Sequence, residues 1–344
     1  MSFPFSVYFM AFVGACASTA IALPLWRAWC IKDNLVDDPG HRKIHDTPIP
    51  LAGGLAVMTG FLVPILAGAT LVNFIGGQSF ESNVSIGPVS GVGVKFPNLV
   101  GSDALTYGLS ARALQLGTIL IGAVAMVVLG WLDDKHELKP AGKFTGQFVI
   151  AALVAASGVR ITLFVDNLLF SYAVTILWIL TLINAFNFMD NMNGLCGGLG
   201  AISAWFFALI AASHGQYLVA TLGFLTCGAL LGFLPFNFPK ASAFLGDAGS
   251  HLVGYLMAVM AILPHFYSEE NPRSLAVLSP LLILAVPLGD LVWVVILRTR
   301  MGKPFWIGDT NHLSHRLVRR GLSKTAAVLV IWLLAAAAGT LALL

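Results

Sequence analysis

Stretches of about 20 consecutive apolar residues recur along this chain between short polar connections, and no other feature limits its fold so tightly. About 20 residues of helix cross the ~30 Å hydrocarbon core of a bilayer, and a backbone in lipid must satisfy its own hydrogen bonds in helices or closed barrels. The apolar stretches predict helices near 5–31, 52–75, 112–132, 144–159, 168–187, 194–214, 216–236, 248–266, 275–298 and 324–343. Only 10% of the residues are charged and 58% are hydrophobic, against roughly 25% charged in soluble domains. The expected fold is an all-α polytopic membrane protein, with residues 1–344 forming a single integral-membrane domain and no room for a large soluble one.

Charge orients these spans. Lys and Arg gather in cytoplasmic loops. With the amino terminus outside, all but four of the nineteen Lys and Arg fall on the cytoplasmic side, leaving only Lys95, Arg112, Arg160 and Arg273 outside. Both termini are then external, and a missed span would scramble this asymmetry. The formal net charge of +3 comes without a dense basic run, which argues against a nucleic-acid partner. Cys16, Cys30, Cys196 and Cys227 stand singly in or beside apolar helices and read as core thiols. The start "MSFPFSVYFM" has no basic residue before its apolar run, so the first helix is expected to be retained. The external loop 76–111 carries turn residues and a candidate hairpin, with little sign of chemistry.

Five segments assigned to the cytoplasmic side hold most of the unusual polar residues: "HRKIHDTPIPLAGG", "GWLDDKHELKPAGKFTGQ", "NAFNFMDNMNGLCGG", "FLGDAGSH" and "HLSHRLVRRG". Asp133 and Asp134 are adjacent carboxylates at a helix end. Such a pair repels itself and favours a cation, a proton or a metal, although a solvated helix terminus is the plainer reading. Lys135, Lys139 and Lys143 follow closely and suit phosphate. Asp247, between Gly246 and Gly249, opens an apolar helix; it reads as an N-cap or as a ligand for a hard cation such as Mg²⁺ that shares substrate phosphates. His312, His315 and Arg316 share one face if their segment is helical, as Asn184, Asn187 and Asn191 do if their helix persists. Lys43 and His45 bring a cation and a proton carrier to the mouth of the second span. Asp290 lies deep in a predicted span, where a carboxylate is costly, and a structural partner on a neighbouring helix is expected for it. The inventory suits phosphoryl chemistry with Mg²⁺, one substrate coming from water and one from lipid.

In order and spacing these five motifs resemble the polyprenyl-phosphate N-acetylhexosamine-1-phosphate transferases, over about Arg42 to Gly321. The resemblance implies about ten or eleven spans, a cytoplasmic site, a requirement for Mg²⁺ with Mn²⁺ as a substitute, and release of UMP. It implies as partners a UDP-N-acetylhexosamine, undecaprenyl or another polyprenyl phosphate, the lipid bilayer of the inner or cell membrane and, as an open assembly, a second copy in a homodimer. "HLSHR" is similar to the branch that transfers N-acetylglucosamine-1-phosphate and starts O-antigen, enterobacterial common antigen or teichoic-acid linkage units. The phospho-N-acetylmuramoyl-pentapeptide transferases, which usually carry a triple-His run there, are the alternative branch, and a transporter is the alternative of another class.

Residue by residue, the resemblance implies that Asp133 deprotonates or orients the lipid phosphate and that Asp134 supports it. Asp247 would hold Mg²⁺ against the diphosphate, with Asp190 as the second metal ligand. Asn187 and Asp190 would face the nucleotide and its phosphates, Lys143 would meet phosphate, and His312, His315 and Arg316 would contact diphosphate or sugar. Asn193 stands where many relatives have an acid, so any uracil contact there has a donor as well as an acceptor. Leu51 replaces a basic residue common before the Gly pair.

Overall fold

The computed structural model describes residues 4–37, 48–81, 113–162, 165–264, 278–304 and 310–343, with side chains described only to residue 70 in the second of these segments. Lys43 and His45 lie outside the described residues, as does most of the loop that carried the candidate hairpin. The elements are α1 Phe5–Lys32, β1 Val36–Asp37, β2 Ile49–Pro50, α2 Gly53–Glu81, α3 Ala113–His136, α4 Pro140–Ala156, α5 Leu168–Met189, α6 Leu195–Ser213, α7 Tyr217–Phe233, α8 Gly246–Ile262, α9 Ser279–Ile283, α10 Ala285–Arg300, α11 Leu313–Arg319 and α12 Lys324–Leu341. The chain is an all-α membrane protein, and the one small sheet among the described residues pairs β1 and β2 antiparallel.

Seven helices among the described residues are long and apolar enough to cross a membrane: α1, α2, α3, α5, α6, α7 extended to Phe236, and α12. The other three expected spans are also helical, but α4 and α8 have 17 residues and α10 has 16. At 1.5 Å per residue they reach about 25 Å, just short of the hydrocarbon core. Pro140 starts α4, where a missing N–H costs nothing. The expected span 275–298 is broken at Leu284 into the short α9 and α10, and α2 remains helical to Glu81 where a loop was expected from 76. All four cysteines are free; Cys30, Cys196 and Cys227 are buried.

α8 is the axis of the molecule. It is buried along nearly its whole length and packs against α2, α3, α5 and α6. Small residues let backbones approach this closely: a Cβ on Gly130 of α3 would run into the Asp247–Ala248 backbone, and one on Gly54 of α2 would run into Gly249. The first turn of α8 is thus wedged between α2 and α3. The start of α2 is tied to the same point. The N–H groups of Gly53 and Gly54 donate to the carbonyls of Phe244 and Leu245, both at 2.9 Å, and Phe244 N–H donates to Pro50 O at 3.0 Å. These bonds satisfy donors that a helix start otherwise leaves open.

Candidate active site

One end of the bundle gathers the C-terminal ends of α3 and α5 and the N-terminal ends of α4, α6 and α8. Four of the five motifs meet there. Asp133 is buried on the last turn of α3, and its Oδ1 accepts from Leu138 N–H at 2.9 Å. Lys143, one turn into α4, sits between two acids, with Nζ 2.6 Å from Asp133 Oδ2 and 2.8 Å from Asp247 Oδ2. Asn187 of α5 donates from Nδ2 to Asp247 Oδ1 at 2.6 Å and to Ser250 Oγ at 3.0 Å. Asp247 is therefore held by groups from two other helices, and it projects from a turn that two glycines have let in close.

The cap of α8 is not Asp247, as one sequence reading had it. Asp247 lies inside the first turn, and Asp134 of α3 takes the capping role from outside the helix. Asp134 accepts from the N–H groups of Asp247 and Ala248, at 2.8 and 3.1 Å. Gly246 turns the chain at φ +72°, where a Cβ would press against the Asp134 carboxylate. The adjacent acids of "LDD" thus divide their work: Asp133 faces Lys143, and Asp134 anchors the neighbouring helix.

Asp190 closes α5 rather than joining the lysine cluster, and the turn Asp190–Gly194 leads into α6. Burial, together with the nearby Asp247 and Asp134, pushes its carboxyl up to about 8. Asn237 fixes this turn by accepting from Gly194 N–H at 2.6 Å and donating to Ala243 O at 2.9 Å. Asn193 donates to Pro239 O at 3.2 Å. The three asparagines do not form one continuous helical face. The helix ends at Met189, so Asn191 lies beyond it; there it donates to Phe188 O and accepts from Ser314 Oγ, both at 2.6 Å. Asn184 bonds between helices, donating to Gln147 Oε1 at 2.9 Å.

The His-rich segment also departs from the expected helical face. α11 begins at Leu313, so His312 precedes the helix instead of sharing a face with His315 and Arg316. The partner expected for Asp290 proves to be this residue. His312 Nδ1 lies 2.7 Å from Asp290 Oδ2, and Leu313 N–H donates to Asp290 Oδ1 at 2.6 Å. The His312 ring stands edge-on to Phe188 at 5.6 Å. Arg316 lies over the Trp293 ring at 4.5 Å. Burial, with the positive neighbours His312 and Arg319, lowers the His315 pKa. None of the three lines either of the cavities described next.

Two cavities open on the cluster. The smaller, of about 460 Å³, is lined by Asp190, Asn191, Asn193 and Asn237, with Phe238, Phe244 and Lys324. The larger, of about 1090 Å³, holds Asp133, Asp134, Lys143, Asn187 and Asp247, and has an apolar wall of Leu177, Leu180, Leu291 and Val295. Asp37 and Leu51 line both. Leu51, which replaces a basic residue of the resembling motif, therefore leaves an apolar side chain where the two cavities adjoin.

Asp133, Asp247 and His251 form a group able to hold a metal ion, their ligand atoms all within 4.8 Å of one another. Two carboxylates suit a hard divalent cation, and the ammonium that now bridges them shows that the place attracts positive charge. His251 stood in the "FLGDAGSH" motif without a role assigned to it; its spacing of four from Asp247, one helical turn, was the available signal. Asp190 is not in this group.

A helical bundle apolar enough to cross a membrane, with a carboxylate, lysine and amide cluster between two adjoining cavities, suits a transferase working at the membrane surface. The comparisons agree: residues 116–265 match glycosyl transferase family 4. The chain is 30% identical to a Bacillus subtilis (strain 168) protein described as a probable undecaprenyl-phosphate N-acetylglucosaminyl 1-phosphate transferase, over 94% of this chain and 81% of that protein. It is 30% identical to a Mycobacterium tuberculosis decaprenyl-phosphate N-acetylglucosaminephosphotransferase, covering 86% of this chain and 72% of that one. A Salmonella typhi undecaprenyl-phosphate alpha-N-acetylglucosaminyl 1-phosphate transferase is 27% identical, with 92% and 78% covered. This chain belongs to glycosyl transferase family 4.

Proposed function

We propose that the chain transfers N-acetylglucosamine-1-phosphate from UDP-N-acetylglucosamine to undecaprenyl phosphate, or a related polyprenyl phosphate, giving the polyprenyl diphospho-sugar and UMP and so starting a cell-envelope polysaccharide. The observation that carries this reading is the placement of the cluster Asp133, Lys143, Asp247 and Asn187 in a cavity with an apolar wall, next to a second, smaller cavity lined by Asp190, Asn191 and Asn193 that shares Asp37 and Leu51 with it. The apolar wall suits a polyprenyl chain, and the acid and amides of the smaller cavity suit a nucleotide. The names of the three relatives support the sugar and the lipid.

In the reaction an oxygen of the lipid phosphate attacks the phosphorus of the sugar-1-phosphate, and the bond from that phosphorus to the UMP oxygen breaks. Phosphoryl transfer of this kind depends on positioning and on charge neutralisation more than on covalent help. Lys143 supplies positive charge at the point where the two phosphates approach. Asp133, against Lys143 and at the rim of the apolar wall, takes the proton of the lipid phosphate or orients it. Asn187 fixes the rotamer of Asp247, and Asp134 fixes the helix turn that carries Asp247. Asp190 and Asn193 serve the nucleotide from the smaller cavity. Asp247 is the proposed ligand of Mg²⁺, which would neutralise the diphosphate of the donor; Asp190, the second ligand implied by the resemblance, stands outside the group of Asp133, Asp247 and His251 and stays with the nucleotide. The site lies on the cytoplasmic side of the inner or cell membrane, as the distribution of Lys and Arg supports.

The test is UMP release by the purified chain in detergent. UMP should appear with UDP-N-acetylglucosamine only when both a polyprenyl phosphate and Mg²⁺ are present, and at a lower rate with other UDP-N-acetylhexosamines. Release without the lipid phosphate, or none with any UDP-sugar of a panel, refutes the reading.

A further inference from the structure

One buried group at the cluster has no role in the account above. His251 lies one turn after Asp247 on α8 and is completely buried. Its Nδ1 has no hydrogen-bond partner, and its Nε2 is 3.5 Å from Gln147 Nε2, at the limit of a hydrogen bond. A buried polar nitrogen without a partner costs about 1–3 kcal/mol, and the same ring contributes a ligand atom to the group with Asp133 and Asp247, all within 4.8 Å. A leucine would fill this place without that cost. The ring is also backed from behind: Gln147 of α4 is itself fully buried and held by Asn184 of α5. Three helices thus hold the imidazole near two carboxylates, with the Gln147 amide at its far nitrogen as the outer group that orients the ring.

We propose that His251 supplies its unpartnered ring nitrogen, Nδ1, to the divalent cation of this site, and that the nitrogen makes the site favour Mn²⁺ over Mg²⁺. This rests on the metal-dependent reading above and extends it to which metal the chain prefers. Oxygen-only sites suit Mg²⁺, which keeps its waters and takes carboxylates and phosphates. An imidazole in the donor set raises affinity along the first transition series, because nitrogen is the softer donor. With Nδ1 committed to a cation, Nε2 carries the ring proton, and the Gln147 amide must turn its oxygen toward the ring to accept it, giving up the bond it now accepts from Asn184.

The experiment uses the full chain in detergent with Mn²⁺ as the probe, read by pulsed electron paramagnetic resonance and by Mn²⁺ titration with Mg²⁺ in competition. The expected result is one tight Mn²⁺ with the modulation of a directly bound ¹⁴N, which changes when the protein is grown with ¹⁵N-histidine. The signal should vanish in His251→Leu and His251→Gln, with Mn²⁺ affinity falling at least about tenfold and Mg²⁺ affinity changing much less. Bound Mn²⁺ without nitrogen modulation overturns the proposal. So does modulation that survives both substitutions, an equal loss for the two metals, or the absence of a tight Mn²⁺ site. If both variants fail to fold, the wild-type spectrum with ¹⁵N-histidine still decides whether histidine is bound. A chain that shows the nitrogen signal but releases no UMP with any metal keeps the ligand and loses the proposed function.

Discussion

Asp190 shows how a single residue's surroundings set its charge. An ordinary Asp titrates near ~3.9, and this one is pushed up to about 8 by burial and by Asp247 and Asp134. Between those values the folded chain keeps a proton that the unfolded chain has released. The stability linked to Asp190 is therefore whole below about pH 4 and is lost as the pH climbs to about 8. Asp190→Asn has no such proton to lose. Thermal unfolding midpoints measured at pH 5.5 and pH 8 should fall with pH more steeply in the wild type than in Asp190→Asn; parallel slopes would show that the carboxyl titrates normally. Asp134 makes a different point at the same scale. The resemblance gave it a role supporting Asp133 at the lipid phosphate, yet its oxygens accept from two backbone N–H groups of another helix. Sequence spacing had no means of showing that partner, which is more than a hundred residues away.

Among the elements, α11 has the most to teach. It is only seven residues long and has no strength of its own. It is held by the buried Asp290–His312 pair, by Leu313 N–H on the same carboxylate, and by Ser314 on Asn191. Asp290→Leu leaves His312 Nδ1 and Leu313 N–H without their acceptor, a loss of about 2 kcal/mol. Hydrogen exchange over 313–319 should then quicken at least tenfold while α8 keeps its protection. Unchanged exchange at α11 would show that other contacts hold the segment. The same pair explains why the expected face of His312, His315 and Arg316 did not form: a buried carboxylate on α10 draws His312 out of helical register. The helices themselves were legible because runs of apolar residues in lipid leave the backbone few other choices. The break at Leu284 was not, since the run of apolar residues continues through it.

For the molecule as a whole, the arrangement across the membrane is the property most open to measurement. The proposed orientation, with the amino terminus outside, puts Lys139 on the cytoplasmic side and His214 outside. Cysteine introduced singly at each, in a background where the four native cysteines are free and three of them buried, should react with a membrane-impermeant maleimide from opposite faces: Lys139→Cys only after permeabilisation, His214→Cys in intact cells. Labelling of both from one face would refute the topology. The membrane class, the helical content and the five motifs follow from sequence alone, because hydropathy is a local property and the bilayer imposes one length on every span. The convergence of four motifs on one end, the division of labour between Asp133 and Asp134, the binding of Asn187 to Asp247 and the place of His251 were decided only by the tertiary structure. Each depends on contacts between helices distant in the chain, and the close approach of backbones at Gly54 and Gly130 sets those contacts, which no periodicity records.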